Sequence, residues 1–265
     1  MKHLVLALYV HVWARLRNRV LSALGKCRTA VLLYHSVNDD YRNPLTVGVE
    51  QFKRHLSLIK RHYDVLDLKT FLAGKDRPRS RPAVVITFDD GYADNYQAAV
   101  LMRRENLSAT FFLSTGIVGT ESPFPHDITW FGRRLPSLSW DQVREMADWG
   151  FGFGIHTVSH ANLSAIPEDD AREEILSARK RLEQELGTSE PISWLAYPYG
   201  GAADITDRVR DSLNSVGIKC CLSAYGGVNP PDFDELNILR CGVDHNASDL
   251  ALRAVIEGWQ RPLRG

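Results

Sequence analysis

A parallel α/β architecture is predicted by three features of this chain. Short apolar runs without polar alternation recur along it. Longer amphipathic stretches separate them, and the main clusters of Asp and His stand directly after the apolar runs. Continuous apolar strands belong to sheets covered on both faces, the situation of a parallel sheet between helices. Strand ends are where such folds build their sites. An open doubly wound sheet and a closed barrel both satisfy this pattern.

The elements follow in order. Residues 30–34 (AVLLY) read as a buried strand, and 51–61 as a helix with Phe52, Leu56 and Ile59 on one face. Residues 83–88 (AVVITF) are a second, β-branched strand, 96–106 a helix and 109–113 (ATFFL) a strand. The Gly- and Pro-containing segment 116–138 reads as a long loop beside the site. Ser139-x-x-Gln142 has the form of a capping box, opening a helix to about Trp149. Residues 151–155 make a strand, and 167–187 a charged helix closed by Gly187. Strands at 191–196, 219–222 and 237–240, with a helix over 207–215, complete the alternation.

A chain of 265 residues suits one barrel-sized domain, here 29–265, behind a distinct N-terminal segment, 1–28. Lys plus Arg and Asp plus Glu each total 32, so the formal net charge is zero, which argues against a nucleic-acid partner. The four cysteines contain no CxxC pair, so buried thiols are expected rather than a disulfide or zinc scaffold. Residues 4–13 are apolar apart from His11, and Arg15, Arg17 and Arg19 follow. That run is shorter than the ~20 apolar residues of a membrane span and lacks a small-x-small cleavage site. An uncleaved amphipathic helix is expected, packed on the domain or making peripheral membrane contact through residues 1–24. The corresponding location is the cytoplasm or the inner membrane face.

Four segments carry chemistry. Thr87-Phe88-Asp89-Asp90-Gly91 puts two adjacent carboxylates at a strand end, where they cannot both enter an apolar core. His156-Thr157-Val158-Ser159-His160 follows another strand. On a helical turn its two imidazoles would share a face and reach one ion. With a carboxylate from a different strand end they would make a two-His, one-carboxylate site with positions open to water and substrate. Ala196-Tyr197-Pro198-Tyr199-Gly200 is a rigid turn whose backbone N–H groups could face an oxyanion. Tyr34-His35-Ser36 ends the first strand with a histidine.

Together these segments resemble the polysaccharide deacetylase family, which shares the NodB homology domain, over roughly residues 30–245. TFDDG, HTVSH and YPYG stand in the order and spacing of its first three motifs. The resemblance implies a distorted (β/α) barrel with one divalent metal ion at the strand C-termini. Zinc is the first choice, with cobalt, nickel or manganese able to use the same ligands. It implies Asp89 as general base, Asp90, His156 and His160 as metal ligands, and the Tyr199 N–H as an oxyanion donor. Two positions depart from the family pattern. Ala196 stands where an Arg usually orients the base, and Arg240 of Ile238-Leu239-Arg240 where the acid His usually stands. A branch that includes poly-N-acetylglucosamine deacetylases carries its acid on an early strand, and Leu33-Tyr34-His35-Ser36-Val37 is similar to that segment. His35 is therefore expected as the acid, and Arg240 as the substitute for the missing Arg.

The expected reaction is removal of N-acetyl groups from an amino sugar in a polysaccharide or glycolipid precursor, as in exopolysaccharide biosynthesis. Tyr197, Pro198 and Trp130, with Phe131 and Tyr199, are candidate sugar-binding surfaces. The rival readings are an O-acetyl esterase or deformylase on a lipid-linked sugar, and an inactive glycan-binding module.

Overall fold

The computed structural model describes residues 2–75 and 81–259, with the side chains of residues 2–4 and of Trp130 left outside that description. A long N-terminal helix comes first: α1 (Lys2–Leu8) passes through a π-helical turn (Tyr9–Trp13) into α2 (Ala14–Ala23). Then follow β1 (Thr29–Tyr34), β2 (Ser36–Val37), β3 (Thr46–Val47), α3 (Val49–His62), β4 (Asp64–Leu66), α4 (Leu68–Ala73), β5 (Ala83–Phe88) and α5 (Asn95–Arg104). The middle of the chain gives β6 (Thr110–Leu113), α6 (Pro125–Phe131), α7 (Trp140–Asp148), β7 (Gly152–Ile155) and α8 (Glu168–Leu186). Finally come β8 (Trp194–Ala196), α9 (Asp207–Ser215), β9 (Cys220–Leu222), β10 (Arg240–Gly242) and α10 (Asp249–Ile256).

The main sheet is parallel, in the order β10-β1-β5-β6-β7-β8-β9, with β4 also against β5. β1 pairs with the whole length of β5, whose other edge takes β4 at its start and β6 at its end. A parallel bridge between Leu222 and Ile238 brings β9 to the segment entering β10, and the ring nearly closes. This is the barrel alternative, not the open sheet. The strand periodicity explains the continuous apolar runs. Val31, Val85, Phe112, Ala196, Leu222 and Ile238 share one cluster, whereas Ala30, Leu32, Val84 and Ile86 pack in the larger cluster with helical residues such as Phe52 and Ile59. Side chains alternate between the two faces of each strand, and both faces are covered.

The Ser139 capping box forms, with Ser139 Oγ accepting from Gln142 N at 3.2 Å and Gln142 Oε1 accepting from Ser139 N at 2.9 Å. All four cysteines are buried and free. The segment 116–138 differs from its expectation as a loop, because it contains α6. Its Pro125 and Gly132 are boundary signals of that helix, Pro in its first turn and Gly at a left-handed C-cap with φ of 64°. The last strand is displaced from 237–240 to 240–242, since Ile238 makes only the single bridge to Leu222.

Candidate active site

The Asp and His side chains converge where the C-terminal ends of β1, β5, β7 and β8 meet. Asp89 N–H donates to Tyr34 O at 3.0 Å, which fixes the exit of β5 against β1. Asp90 then turns into the left-handed region with φ of 72°, followed by Gly91 at 94°. A Cβ on Gly91 would lie 2.7 Å from Val118 and 2.9 Å from Leu113, so this tight turn requires glycine. Five non-glycine residues among those described have positive φ, and four of them, Asp90, Thr157, His160 and Tyr199, stand in the site segments. Such conformations cost of order 1 kcal/mol each and persist where surrounding contacts enforce them.

The HTVSH segment is not a helical turn, contrary to expectation. Left-handed Thr157 and His160 bend it into a loop, which Glu174 of α8 holds by accepting from Val158 N at 2.8 Å and Ser159 N at 3.0 Å. Both imidazoles still reach one point. His156 Nε2 and His160 Nε2 each lie 3.4 Å from Asp90 Oδ1. A tetrahedral ion with ~2.1 Å bonds has ligand–ligand edges of ~3.4 Å, so the spacing fits zinc-like coordination. Both Asp90 oxygens are buried without a hydrogen-bond partner among the described residues, as expected for a carboxylate shaped for a cation. His156 Nδ1 lies 2.8 Å from Ala196 O. A carbonyl only accepts, so Nδ1 carries a proton, and in a neutral ring the Nε2 lone pair would face Asp90. Burial lowers the His160 pKa to about 3, keeping its ring neutral and ligand-competent. Burial would raise Asp90, but the neighbouring His126 and His156 outweigh it and hold its carboxyl well below the usual carboxylate range.

Asp89 is placed differently. Arg240, fully buried on β10, donates Nη1–H to Asp89 Oδ1 at 2.6 Å and Nη2–H to Oδ2 at 2.7 Å, while its Nε–H donates to Ser223 O at 2.6 Å. Burial would raise the Asp89 carboxyl, but this two-pronged guanidinium contact, with His156 and His35, holds it below its ordinary value. Asp89 Oδ2 stands 3.9 Å from His156 Nε2, close beside the donor set.

His35 is half-buried at the end of β1, its carbonyl accepting from Asn95 Nδ2 at 2.6 Å. Burial lowers its pKa, and the nearby Asp90 and Asp89 act in the opposite sense. Tyr199 is half-exposed, its ring edge-on to His160 at 5.0 Å. Tyr197 and Pro198 are corrections. Tyr197 is only 2% exposed and donates its hydroxyl to Leu236 O at 2.9 Å, so its ring is core and cannot stack on a sugar; Pro198 is buried too. The Trp130 side chain lies outside the described residues. Phe131 is partly buried against Tyr92, Ile117, Phe124 and Leu135.

One wall of the site was not foreseen. His126 Nε2 lies 2.8 Å from Tyr92 Oη and 3.6 Å from Asp90 Oδ2, and Tyr92 donates to Asp127 Oδ1 at 2.9 Å. The single phenolic proton goes to Asp127, so the phenol oxygen is free to accept from His126. The result is a buried polar brace against Asp90.

A family model described as polysaccharide deacetylase matches residues 76–221, more than half of the chain. The chain belongs to the polysaccharide deacetylase family. A Bacillus subtilis protein described as a polysaccharide deacetylase, YxkH, is 28% identical over 234 residues, covering 87% of this chain and 76% of the relative. A peptidoglycan-N-acetylglucosamine deacetylase of Bacillus cereus is 28% identical over 125 residues, 46% of this chain and 38% of its own. The fold of this deacetylase is similar to IcaB from Ammonifex degensii, with a TM-score of 0.72 and 24% identity over 87% of this chain and 97% of that one. It is also similar to the Streptococcus pyogenes deacetylase PplD, solved in complex with acetate, with a TM-score of 0.71 and 21% identity over 87% and 99%.

Proposed function

We propose that this deacetylase is a metal-dependent hydrolase that removes N-acetyl groups from an N-acetylated amino sugar in a polysaccharide or glycolipid precursor. The observation that carries the reading is a buried donor set, Asp90, His156 and His160, with 3.4 Å edges beside a carboxylate gripped by arginine. The relative that acts on peptidoglycan N-acetylglucosamine supports the choice of an amide on an amino sugar.

Asp90, His156 and His160 would hold the ion, zinc by preference for two imidazoles. A divalent ion at these ligands acidifies water and polarises an acyl oxygen. Asp89, kept ionised and aimed by Arg240, takes the proton from the attacking water. The Tyr199 N–H donates to the oxyanion of the tetrahedral intermediate. His35, from the adjoining end of β1, protonates the departing amine, which leaves poorly as an anion. The half-exposed Tyr199 ring offers an apolar face for the sugar.

The direct test is amine release from short N-acetylglucosamine oligomers by the purified protein. Release is expected to stop with a chelator and to return with zinc. Metal uptake without release from these or lipid-linked N-acetylated sugars would sink the substrate assignment; no metal uptake would sink the site assignment. His35→Gln is expected to lower kcat about a hundredfold. It should also remove the alkaline limb of the pH–rate profile, because the acid works only while protonated. Near-normal turnover in this variant would remove His35 from the acid role.

A further inference from the structure

The N-terminal helix has two faces, and the domain uses one of them. Tyr9 donates its hydroxyl to Glu257 O at 2.7 Å and meets Trp259 edge-on at 5.0 Å. Val10 and Ala14 are each 1% exposed. Arg17 and Asn18 both donate to Glu257 Oε2, at 3.1 and 2.7 Å, and Tyr63 donates to the other carboxylate oxygen at 3.0 Å. This buried knot fixes the helix on α10, so the remaining face has a defined outward orientation.

That outward face is apolar. Ten large hydrophobic side chains are exposed among the described residues; six belong to this helix and a seventh, Leu24, caps its end. Val5, Leu8 and Val12 lead the stripe; Trp13, at 65% exposure, Leu16, Val20 and Leu24 continue it. Residues four apart drift by about 40° per step around an α-helix, which would carry such a stripe round into the docked face. The π-turn, closed by Ala14 N–H donating to Tyr9 O, holds the later residues back by about a quarter turn. The two halves of the stripe therefore stay in line. Arg15 and Arg19 are exposed on the same helix, and Lys26 and Arg28 are exposed just after it. No Asp or Glu occurs before Asp39.

We propose that this face seats the protein on an anionic lipid surface, the apolar stripe entering the headgroup region and the basic side chains meeting lipid phosphates. The stripe supplies the apolar contact, and each Lys or Arg near an anionic surface adds about 1 kcal/mol, roughly a fivefold gain in affinity. Charge separates this occupant from a second copy of the chain. A two-fold pairing through the stripe would set the same Arg15 and Arg19 surface against itself. Among the described residues no helix is long and apolar enough to cross a membrane, which agrees with a helix lying in the interface plane.

The test is co-sedimentation of the full-length protein with vesicles of phosphatidylcholine, alone or with phosphatidylglycerol. Binding is read without turnover, so it stands or falls apart from the hydrolase reading. Binding is expected to the anionic vesicles, weakening at least tenfold as salt is raised from about 0.1 to about 1 M. Leu16→Glu/Val20→Glu should lose about a hundredfold in vesicle affinity. Its melting temperature and its turnover of a soluble oligomer should be unchanged, because neither side chain enters the docked face or the site. Arg15→Glu/Arg19→Glu should erase the preference for anionic vesicles. The proposal is overturned by no vesicle binding, by binding that the glutamate variants leave intact, or by a wild-type dimer without vesicle affinity that Leu16→Glu/Val20→Glu dissolves.

Discussion

Asp89→Asn is expected to lower kcat about a thousandfold while the protein still takes up added zinc. The three donor residues for the ion are untouched by this change, whereas the proton acceptor is lost. The replacement amide also meets Arg240 badly. Two guanidinium N–H groups now at 2.6 and 2.7 Å would face a single acceptor oxygen and an NH2 group. Metal analysis alongside single-turnover rates reads the two roles separately. A retained rate would place the base elsewhere, and loss of metal together with rate would make Asp89 a ligand.

Arg240→Met carries the second large effect, first of all on stability. Removing one partner of a fully buried ion pair leaves a buried, uncompensated carboxylate and costs about 3–5 kcal/mol. For a chain of this size the melting temperature should fall by roughly 10 °C or more. The pH dependence has a definite sign. Arg240 holds the Asp89 carboxyl below its ordinary value, so the wild type loses this contribution to stability only as pH falls through that lowered pKa. Without Arg240, burial raises the carboxyl, and the acid limb of the rate profile moves to higher pH. The double variant Arg240→Met/Asp89→Asn removes both charges and should recover most of the lost stability without recovering turnover. A single Arg240→Met as stable and active as the wild type would show that the pair does not hold the base.

The covered parallel sheet and the donor trio are legible in the sequence because their signals are local, whereas closure into a barrel is implied only by the family resemblance. TFDDG and HTVSH each place their chemistry within five residues of a strand end, and an apolar run that does not alternate announces two covered faces. The Arg240 contact is legible only by comparing what stands at two distant motif positions, since 151 residues separate it from Asp89. The Tyr92–His126–Asp127 brace carries no such signal. Its histidine and aspartate sit in a Gly- and Pro-containing stretch that masks a short helix, and their partner lies 34 residues earlier. Tyr197 misleads for a simpler reason: an aromatic residue just past a strand can point to core or cleft, and only packing decides. The π-turn is invisible because it shifts a hydrogen bond by one residue without changing the apolar pattern.

The grip of β10 on the end of β5 also sets when during synthesis this enzyme can become active. Ribosomes add roughly 5–20 residues per second, so about eight to thirty seconds pass between the making of Asp89 and the making of its arginine. Once residue 160 has been made the growing chain holds both metal-site motifs, yet until residue 240 Asp89 has no guanidinium to aim it. On the proposed mechanism, newly made protein would thus gather an ion before it could cut. A chain that ends after the β9 strand but before residue 240 keeps Asp90, His156 and His160, and on the proposed mechanism it should bind metal without turnover.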